Sequence, residues 1–501
     1  MADYKKLQNG SDVRGIASEG IEGEHINLTP EAAFDIARAF AKWLADKKKR
    51  NVEAMEIGIG HDSRITADML TKAAVDGMTA MGVHVYDCGL VSTPSMFMTT
   101  VLEGYEYDGA IMITASHLPF NRNGLKFFDI DGGLEHDDIT AVLKIAEEIS
   151  GKDVSAERLD EVSKVNSIDA YCDYMKAKII NGVKAAEHDK PLKGLHVVVD
   201  AGNGAAGFFV EKILKPLGAD TTGSQFLEPD GMFPNHIPNP ENKKAMDAIR
   251  NAVLEQKADL GIIFDTDVDR MSAVLSDGTE VNRDAIIAMM AAIIAKDYPG
   301  GTVVTDSVTS DRLTHFLEKE LGMKHHRFMR GYKNVINESI RLNKAGIVSP
   351  LAIETSGHGA LSENYFLDDG AYMAVKILIA LALAKRDGKK LASYIEKLPE
   401  GFEEREYRFK IQGDDFKTYG QEVLKTFEQR AKEKGYYVVP DSHEGIRLSF
   451  QTGEIGGWVL LRLSLHDPQM PLNIEGVKDG DCDKLYKIVL ELLDGFDRLT
   501  I

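Results

Sequence analysis

The chain has 501 residues, 44% of them hydrophobic, and a formal net charge of −20. That composition supports large cores, roughly three or four domains by length, and argues against wholesale disorder. The acidic balance argues against a nucleic-acid or acidic-membrane surface as the main partner. It admits a small anion, because Arg, Lys and backbone N–H groups can reverse the field inside one cleft.

The N-terminal stretch "MADYKKLQNGSDVRG" has no apolar signal region, and no apolar run reaches the length of a membrane span. Cys88, Cys172 and Cys482 are far apart, with neither metal spacing nor a disulfide framework. This fits a reducing cytoplasm. The expectation is a cytoplasmic protein, monomer or homodimer, acting on a small molecule rather than nucleic acid or membrane.

In chain order, "MEIGIGHDSR" is a β run ending at Asp62, and a helical stretch leads to a second run, "MGVHVYDCG", opened by Gly82. The pattern returns in "LHVVVDAGNG", ending at Asp200, with its second run "LGADTTGSQF" at Gly218. It returns again in "GTVVTDSVTS", ending at Asp306, with "LGMKHHRFM" at Gly322. Each unit then has a further apolar run that stops in a polar loop: "GAIMITASH", "LGIIFDTDVDR" and "PLAIETSGH". Strand, helix, strand at this spacing predicts α/β units with mixed, largely parallel sheets, whose ligands bind at the carboxyl ends of strands. The expected architecture is three similar α/β domains, 1–162, 163–279 and 280–400, each presenting one loop to a central cleft. The alternative is one large sheet with unrelated loops. After "LPEGF", five β runs and a final helix predict a C-terminal α+β domain, 401–501, whose loop "RLSLHDP" carries Arg462, Ser464 and His466.

The loops suggest chemistry. Ser116 could be a nucleophile, a helix cap or a plain turn residue; no Gly flanks it as a hydrolase elbow requires. Asp265, Asp267 and Asp269 alternate after an apolar strand and could converge on one hard cation such as Mg²⁺, or form a solvated acidic turn. An EF-hand fails, because the sixth position is Arg270 and the twelfth is Ser276. A serine beside such a triad, with His117 and Lys126 near, suits phosphoryl transfer. His117 and Lys126 could move protons, and Lys126 could equally be a fixed counter-charge. Glu354 and Ser356 could hold vicinal sugar hydroxyls, with His358 beside them. Arg462 with Ser464 could hold a phosphate, or be a strand end with an exposed Arg. Arg14 in "GSDVRG" is similarly ambiguous.

Taken together, "TASHLPFNRNGLKFF", "DTDVDR", "ETSGH", "RLSLHDP", "SDVRG" and "PDGMFPNHIPNPEN" resemble motifs of the α-D-phosphohexomutases. The likeness runs in order from about residue 8 to about 475. It implies an intramolecular phosphotransferase that interconverts hexose 1- and 6-phosphates through a phosphoserine and a hexose 1,6-bisphosphate, which is both intermediate and activator. It implies that Ser116 is the phosphorylated serine, and that Asp265, Asp267 and Asp269 hold Mg²⁺ together with its phosphate. Arg270 would lie beside them. His117 and Lys126 would transfer protons, with Arg14 assisting. Glu354 and Ser356 would grip the sugar with His358 nearby, and Arg462 and Ser464 the non-transferring phosphate, to which His466 could still donate. Glucose and mannose phosphates are the expected substrates, with glucosamine phosphate as the alternative. From other classes, a metal-dependent sugar phosphatase or a non-catalytic sugar-phosphate binder would use the same residues. The chain departs from the motifs at Leu118, where Asn is usual, at Ala352-Ile353, where Gly is usual, and at His466, which replaces a hydroxyl residue.

Overall fold

The computed structural model describes residues 3–152, 162–186, 189–440, 442–450, 455–464 and 467–500. They fall into two units, Met1–Asn282 with Ser356–Ser393, and Arg283–Thr355 with Tyr394–Ile501.

In the first unit, the run ending near Asp62 forms the strand Glu56–His61. It is parallel to His84–Leu90 on one side and to Gly109–Ile113 on the other. Arg122–Asp129 and then Asp12–Ile16 extend this sheet antiparallel. Gly109–Ile113 is buried along its whole length, as its unbroken apolar sequence requires for a strand covered on both faces. Helices Pro30–Lys48, Ala67–Ala80 and His136–Ile149 pack here, with Phe40, Ile57, Leu70, Ile111 and Leu143 in one core. Thr29 starts the first helix by accepting the Ala32 N–H, and Pro30 needs no donor at that position. This helix ends on a left-handed lysine, Lys49 (φ 54°). Ser167–Val183 and Lys243–Gln256 end the same way, on Lys184 (φ 56°) and Lys257 (φ 54°).

A second sheet of this unit pairs Val197–Asp200 parallel with Leu260–Phe264, which turns back antiparallel as Met271–Leu275. The β run expected at Gly218 is reduced to isolated bridges, His196 with Asp220 and Asp200 with Gln225. The Asp220 carboxylate accepts both the N–H and the hydroxyl of Thr222 (2.9 and 2.7 Å), which turns the chain before a ladder can form. The apolar helix Gly370–Arg386 is 17 residues long. Among the described residues no helix is long and apolar enough to cross a membrane.

In the second unit, Thr302–Thr305 lies parallel to both Lys324–Arg327 and Leu351–Ile353. Ala352 and Ile353 simply continue the last strand, fully buried. The tail forms a six-stranded antiparallel sheet in the order Tyr437–Val438, Ile446–Phe450, Gly457–Leu461, Gln469–Gly476, Glu403–Ile411, Leu499–Thr500. Helices Phe416–Glu433 and Asp481–Leu492 cover it, with Val423, Phe427, Leu472 and Val489 in the core. Mixed α/β sheets followed by an α+β tail are the fold class the sequence pattern predicts.

Candidate active site

The strand Gly109–Ile113 stops where Thr114 turns its hydroxyl to Asp62 (2.6 Å) and accepts the Ser116 N–H (2.9 Å). Ser116 is 3% exposed and has φ 49°, a conformation that L residues adopt only when their surroundings enforce it. The enforcement comes from Arg64. Its buried guanidinium donates to the carbonyls of Leu118 (2.7 Å), Pro119 (2.8 Å), Arg122 (2.9 Å) and Ser116 itself. Arg14 adds a bond to the Ala115 carbonyl (3.1 Å) and is held by Asp12 (2.9 Å). Leu118 therefore serves this loop through its backbone carbonyl.

The strand Leu260–Phe264 runs straight into Asp265. Val268, between two of the acidic residues, has φ 68°, a genuine outlier for a β-branched side chain. Thr93 clamps the turn. Its N–H donates to the Asp267 carbonyl (2.8 Å) and its hydroxyl to the Asp267 carboxylate (2.5 Å). The Gly370 N–H meets the Val268 carbonyl (3.2 Å). Held this way, Asp265, Asp267 and Asp269 each bring a carboxylate oxygen to within 4.8 Å of the others, all fully buried. Among the described residues, Asp267 Oδ1 and Asp269 Oδ1 accept no hydrogen bond.

The serine and the acid cluster meet. Ser116 Oγ donates to Asp265 Oδ2 (2.8 Å) and accepts from Arg270 Nη2 (2.8 Å), while Arg270 Nε and Nη2 fork onto the same Asp265 oxygen (3.2 and 3.0 Å). Arg270 also donates to His117 Nδ1. Lys126 Nζ lies 2.5 Å from Asp269 and 3.5 Å from Asp267. His358 Nδ1 is 2.6 Å from Asp368 Oδ2 and 3.7 Å from Asp269 Oδ1.

These neighbours set the charges. Burial, with the Asp269 and Asp267 charges, pushes Asp265 well above the usual carboxylate range. Burial acts on Asp269 too, but Lys126, His358 and Arg270 overcome it and hold that group well below the range. Burial, then Arg270 and Arg14, drives His117 down to about 2, so the ring is neutral. Burial opposes charge on His358, yet Asp368 and Asp269 raise it to about 9. The cluster suits a hard divalent cation such as Mg²⁺. It offers oxygen ligands only, and two of its buried carboxylate oxygens have no hydrogen-bond donor among the described residues to offset their desolvation.

Other candidate residues make different contacts. Ser356 Oγ is buried with no hydrogen-bond partner among the described residues. In the second unit, Glu354 accepts the Gly331 N–H (2.7 Å), and Arg462 donates to Glu444 (2.9 Å) and Asn473 (3.2 Å). Ser464 Oγ accepts the Asp467 N–H (3.2 Å), and its own N–H bonds the Gln469 carbonyl (3.0 Å). His466 lies outside the described residues. The structure thus gathers Ser116, His117, Lys126, the three Asp residues, Arg270 and His358, with Arg14 bonded to the serine loop. Sequence reasoning missed Arg64, Thr93 and Asp368. Arg64 carries a faint signal, a cation two residues past the strand-ending Asp62. Thr93 carries none.

Three family descriptions match the chain in order. They are phosphoglucomutase/phosphomannomutase alpha/beta/alpha domain I over residues 5–153, domain II over 169–278 and domain III over 282–402. A phosphomannomutase/phosphoglucomutase of Pseudomonas syringae is 29% identical, covering 95% of this chain and 92% of the relative. A probable phosphoglucosamine mutase of Methanosphaera stadtmanae is 30% identical, covering 99% of each. A solved phosphoglucomutase/phosphomannomutase family protein from Burkholderia thailandensis shares the fold, with a TM-score of 0.78 and 24% identity over 100% of both chains.

Proposed function

Because this chain belongs to the α-D-phosphohexomutases, a family of mutases, we propose that it moves a phosphoryl group reversibly between C1 and C6 of a hexose phosphate, with Ser116 as the relay. The observation that most supports this reading is the 2.8 Å approach of Ser116 Oγ to Asp265, with Arg270 on the same oxygen.

In the forward half, the Oγ–P bond of phospho-Ser116 breaks as a sugar oxygen bonds to phosphorus, giving the hexose 1,6-bisphosphate. The hydroxyl proton leaves the sugar. After the bisphosphate turns, its other phosphoryl group returns to Ser116 and a proton goes back to the freed sugar oxygen. Arg270 reaches Oγ and is placed to hold a phosphoryl oxygen there. His117 is neutral with Nδ1 occupied by Arg270, so its remaining nitrogen is a donor. Lys126, against Asp269, is read as the group that exchanges the hydroxyl proton, taking it from the sugar as the neutral amine and returning it as the ammonium in the second half. Asp265, Asp267 and Asp269, with an oxygen of phospho-Ser116, would hold Mg²⁺, which would neutralise the charge developing on the transferring group.

Glu354 and Ser356 are read as the grip on vicinal hydroxyls, with His358 beside them. Arg462 and Ser464 are read as the grip on the phosphate that stays. Such contacts use groups that both orientations of the sugar present. Glucose and mannose phosphates are the proposed substrates. Glucosamine phosphate is the second reading, since relatives of similar identity carry either name. Parallel assays on the three 1-phosphates, primed with the bisphosphate, separate them. Ser116→Ala is expected to abolish isomerisation and the phosphate mass on the protein; near-parental turnover overturns the assignment. Release of inorganic phosphate without isomerised sugar assigns the same residues to a phosphatase.

A further inference from the structure

Glu444 belongs to no motif singled out in the sequence, yet its carboxylate is a junction in the second unit. Oε1 accepts from Arg462 Nη1 (2.9 Å), and Oε2 accepts from Ser307 Oγ (2.6 Å) and from the Arg330 N–H (3.0 Å). The next N–H along the chain, that of Gly331, donates to Glu354 (2.7 Å). Two consecutive backbone donors therefore bridge Glu444 to Glu354. The Arg330 guanidinium lies 3.7 Å from Asp306, and the same Asp306 oxygen accepts the Thr355 hydroxyl (2.7 Å).

Ser307, Arg330 and Glu354 all follow the carboxyl ends of the parallel strands Thr302–Thr305, Lys324–Arg327 and Leu351–Ile353. Glu444 comes from the C-terminal domain. Its neighbour Gly445 (φ 70°) makes the approach possible: a Cβ there would lie 2.1 Å from the Leu461 carbonyl and 2.9 Å from Arg462 Cα. Burial opposes ionisation of Glu444, but Arg462, Ser307 and the Arg330 N–H hold its carboxyl below the usual range. It is an ionised strut.

We infer that Glu444 is a positioning residue that fixes the Arg462 fork relative to the Glu354 loop, and so sets how well one sugar phosphate can engage both. The inference rests on the reading of Glu354 as sugar grip and Arg462 as phosphate grip. Glu444 bonds to Arg462, Ser307 and the Arg330 N–H, none of them assigned to the phosphoryl-transfer step. Its loss weakens binding of hexose phosphate and leaves the chemical step in place.

The test uses steady-state kinetics of the full chain on whichever hexose 1-phosphate it turns over. Glu444→Gln keeps an acceptor for Ser307 and the Arg330 N–H but removes the charge that aims Arg462. It is expected to raise KM roughly tenfold, the scale of one lost charge-assisted bond, with kcat within about threefold of the parent. A double-mutant cycle supplies the readout that a merely structural role would not move. If Glu444 acts through Arg462, Glu444→Gln adds nothing to the KM of Arg462→Ala. Additive effects, or a parental KM for Glu444→Gln while Arg462→Ala is impaired, overturn the inference alone. A parental KM for Arg462→Ala overturns the underlying phosphate-loop reading and the inference with it. Should Glu444→Gln not fold, Ser307→Ala, which removes one of the three donors, is expected to raise KM in the same direction by less, and an unchanged KM overturns the inference.

Discussion

Ser116 and Val268 both hold left-handed backbone conformations at the point where the serine meets the acidic loop. Each costs about 1–3 kcal/mol and persists only because the surroundings dictate it. For Ser116 the dictating residue is Arg64, whose planar fork answers four carbonyls at once. A lysine has the charge but not the fork, and would leave buried carbonyls without donors. Arg64→Lys is therefore expected to lower kcat about 100-fold, the scale of an ångström's displacement of a reacting atom, with a much smaller change in KM. Kinetics, together with the phosphate mass on Ser116, check this. Full activity would show that the loop keeps its shape without the fork.

At the level of whole elements, the helix Gly370–Arg386 begins on Asp369. Asp369 accepts the Tyr372 N–H (2.8 Å), the Tyr171 hydroxyl (2.7 Å) and the Asn364 amide (3.0 Å). Burial nonetheless raises its carboxyl to about 7, against these bonds. The native state then holds a proton that the unfolded chain releases above its ordinary value near 4. Stability from this group is full below pH 4 and declines as pH rises through 7, with a slope of up to about 1.4 kcal/mol per pH unit. Denaturant unfolding from pH 4 to 8 should show parent stability falling relative to Asp369→Asn; parallel curves would contradict it. Strands and loops of this kind were legible in the sequence where one signal decided them. "GAIMI" and "LGIIF" read as buried strands because nothing polar interrupts them, and the polar residues that stop them mark the loops. The run at Gly218 misled, because an Asp–Thr–Thr turn competes locally for the backbone and periodicity cannot see it. Arg64 and Glu444 were hidden for another reason. Arg64 bonds main-chain carbonyls, which leave no residue-type trace, and Glu444 bonds Ser307 and the Arg330 N–H from more than a hundred residues away, with no motif to link them.

Across the molecule, a charge of −20 coexists with a buried knot of three carboxylates countered by Lys126, Arg270 and His358. A cation bound there favours the folded state by mass action, about 2.7 kcal/mol at a hundredfold excess over its Kd. Mg²⁺ is expected to raise the melting temperature of the parent. Asp267→Asn is expected to abolish that rise and to melt no lower than the metal-free parent, since one buried like charge is gone. An equal Mg²⁺ response in both proteins would remove the cluster from consideration as the metal site. The exposed lysines at 49, 184 and 257 lie outside this chemistry. Left-handed backbone at a lysine forgoes about 1 kcal/mol that glycine would not, partly offset by glycine's greater freedom when unfolded. Three helices end this way independently, so glycine at each terminus is expected to raise the melting temperature. Glycine at those termini would widen the margin within which the substrate loops can be altered before the fold gives way.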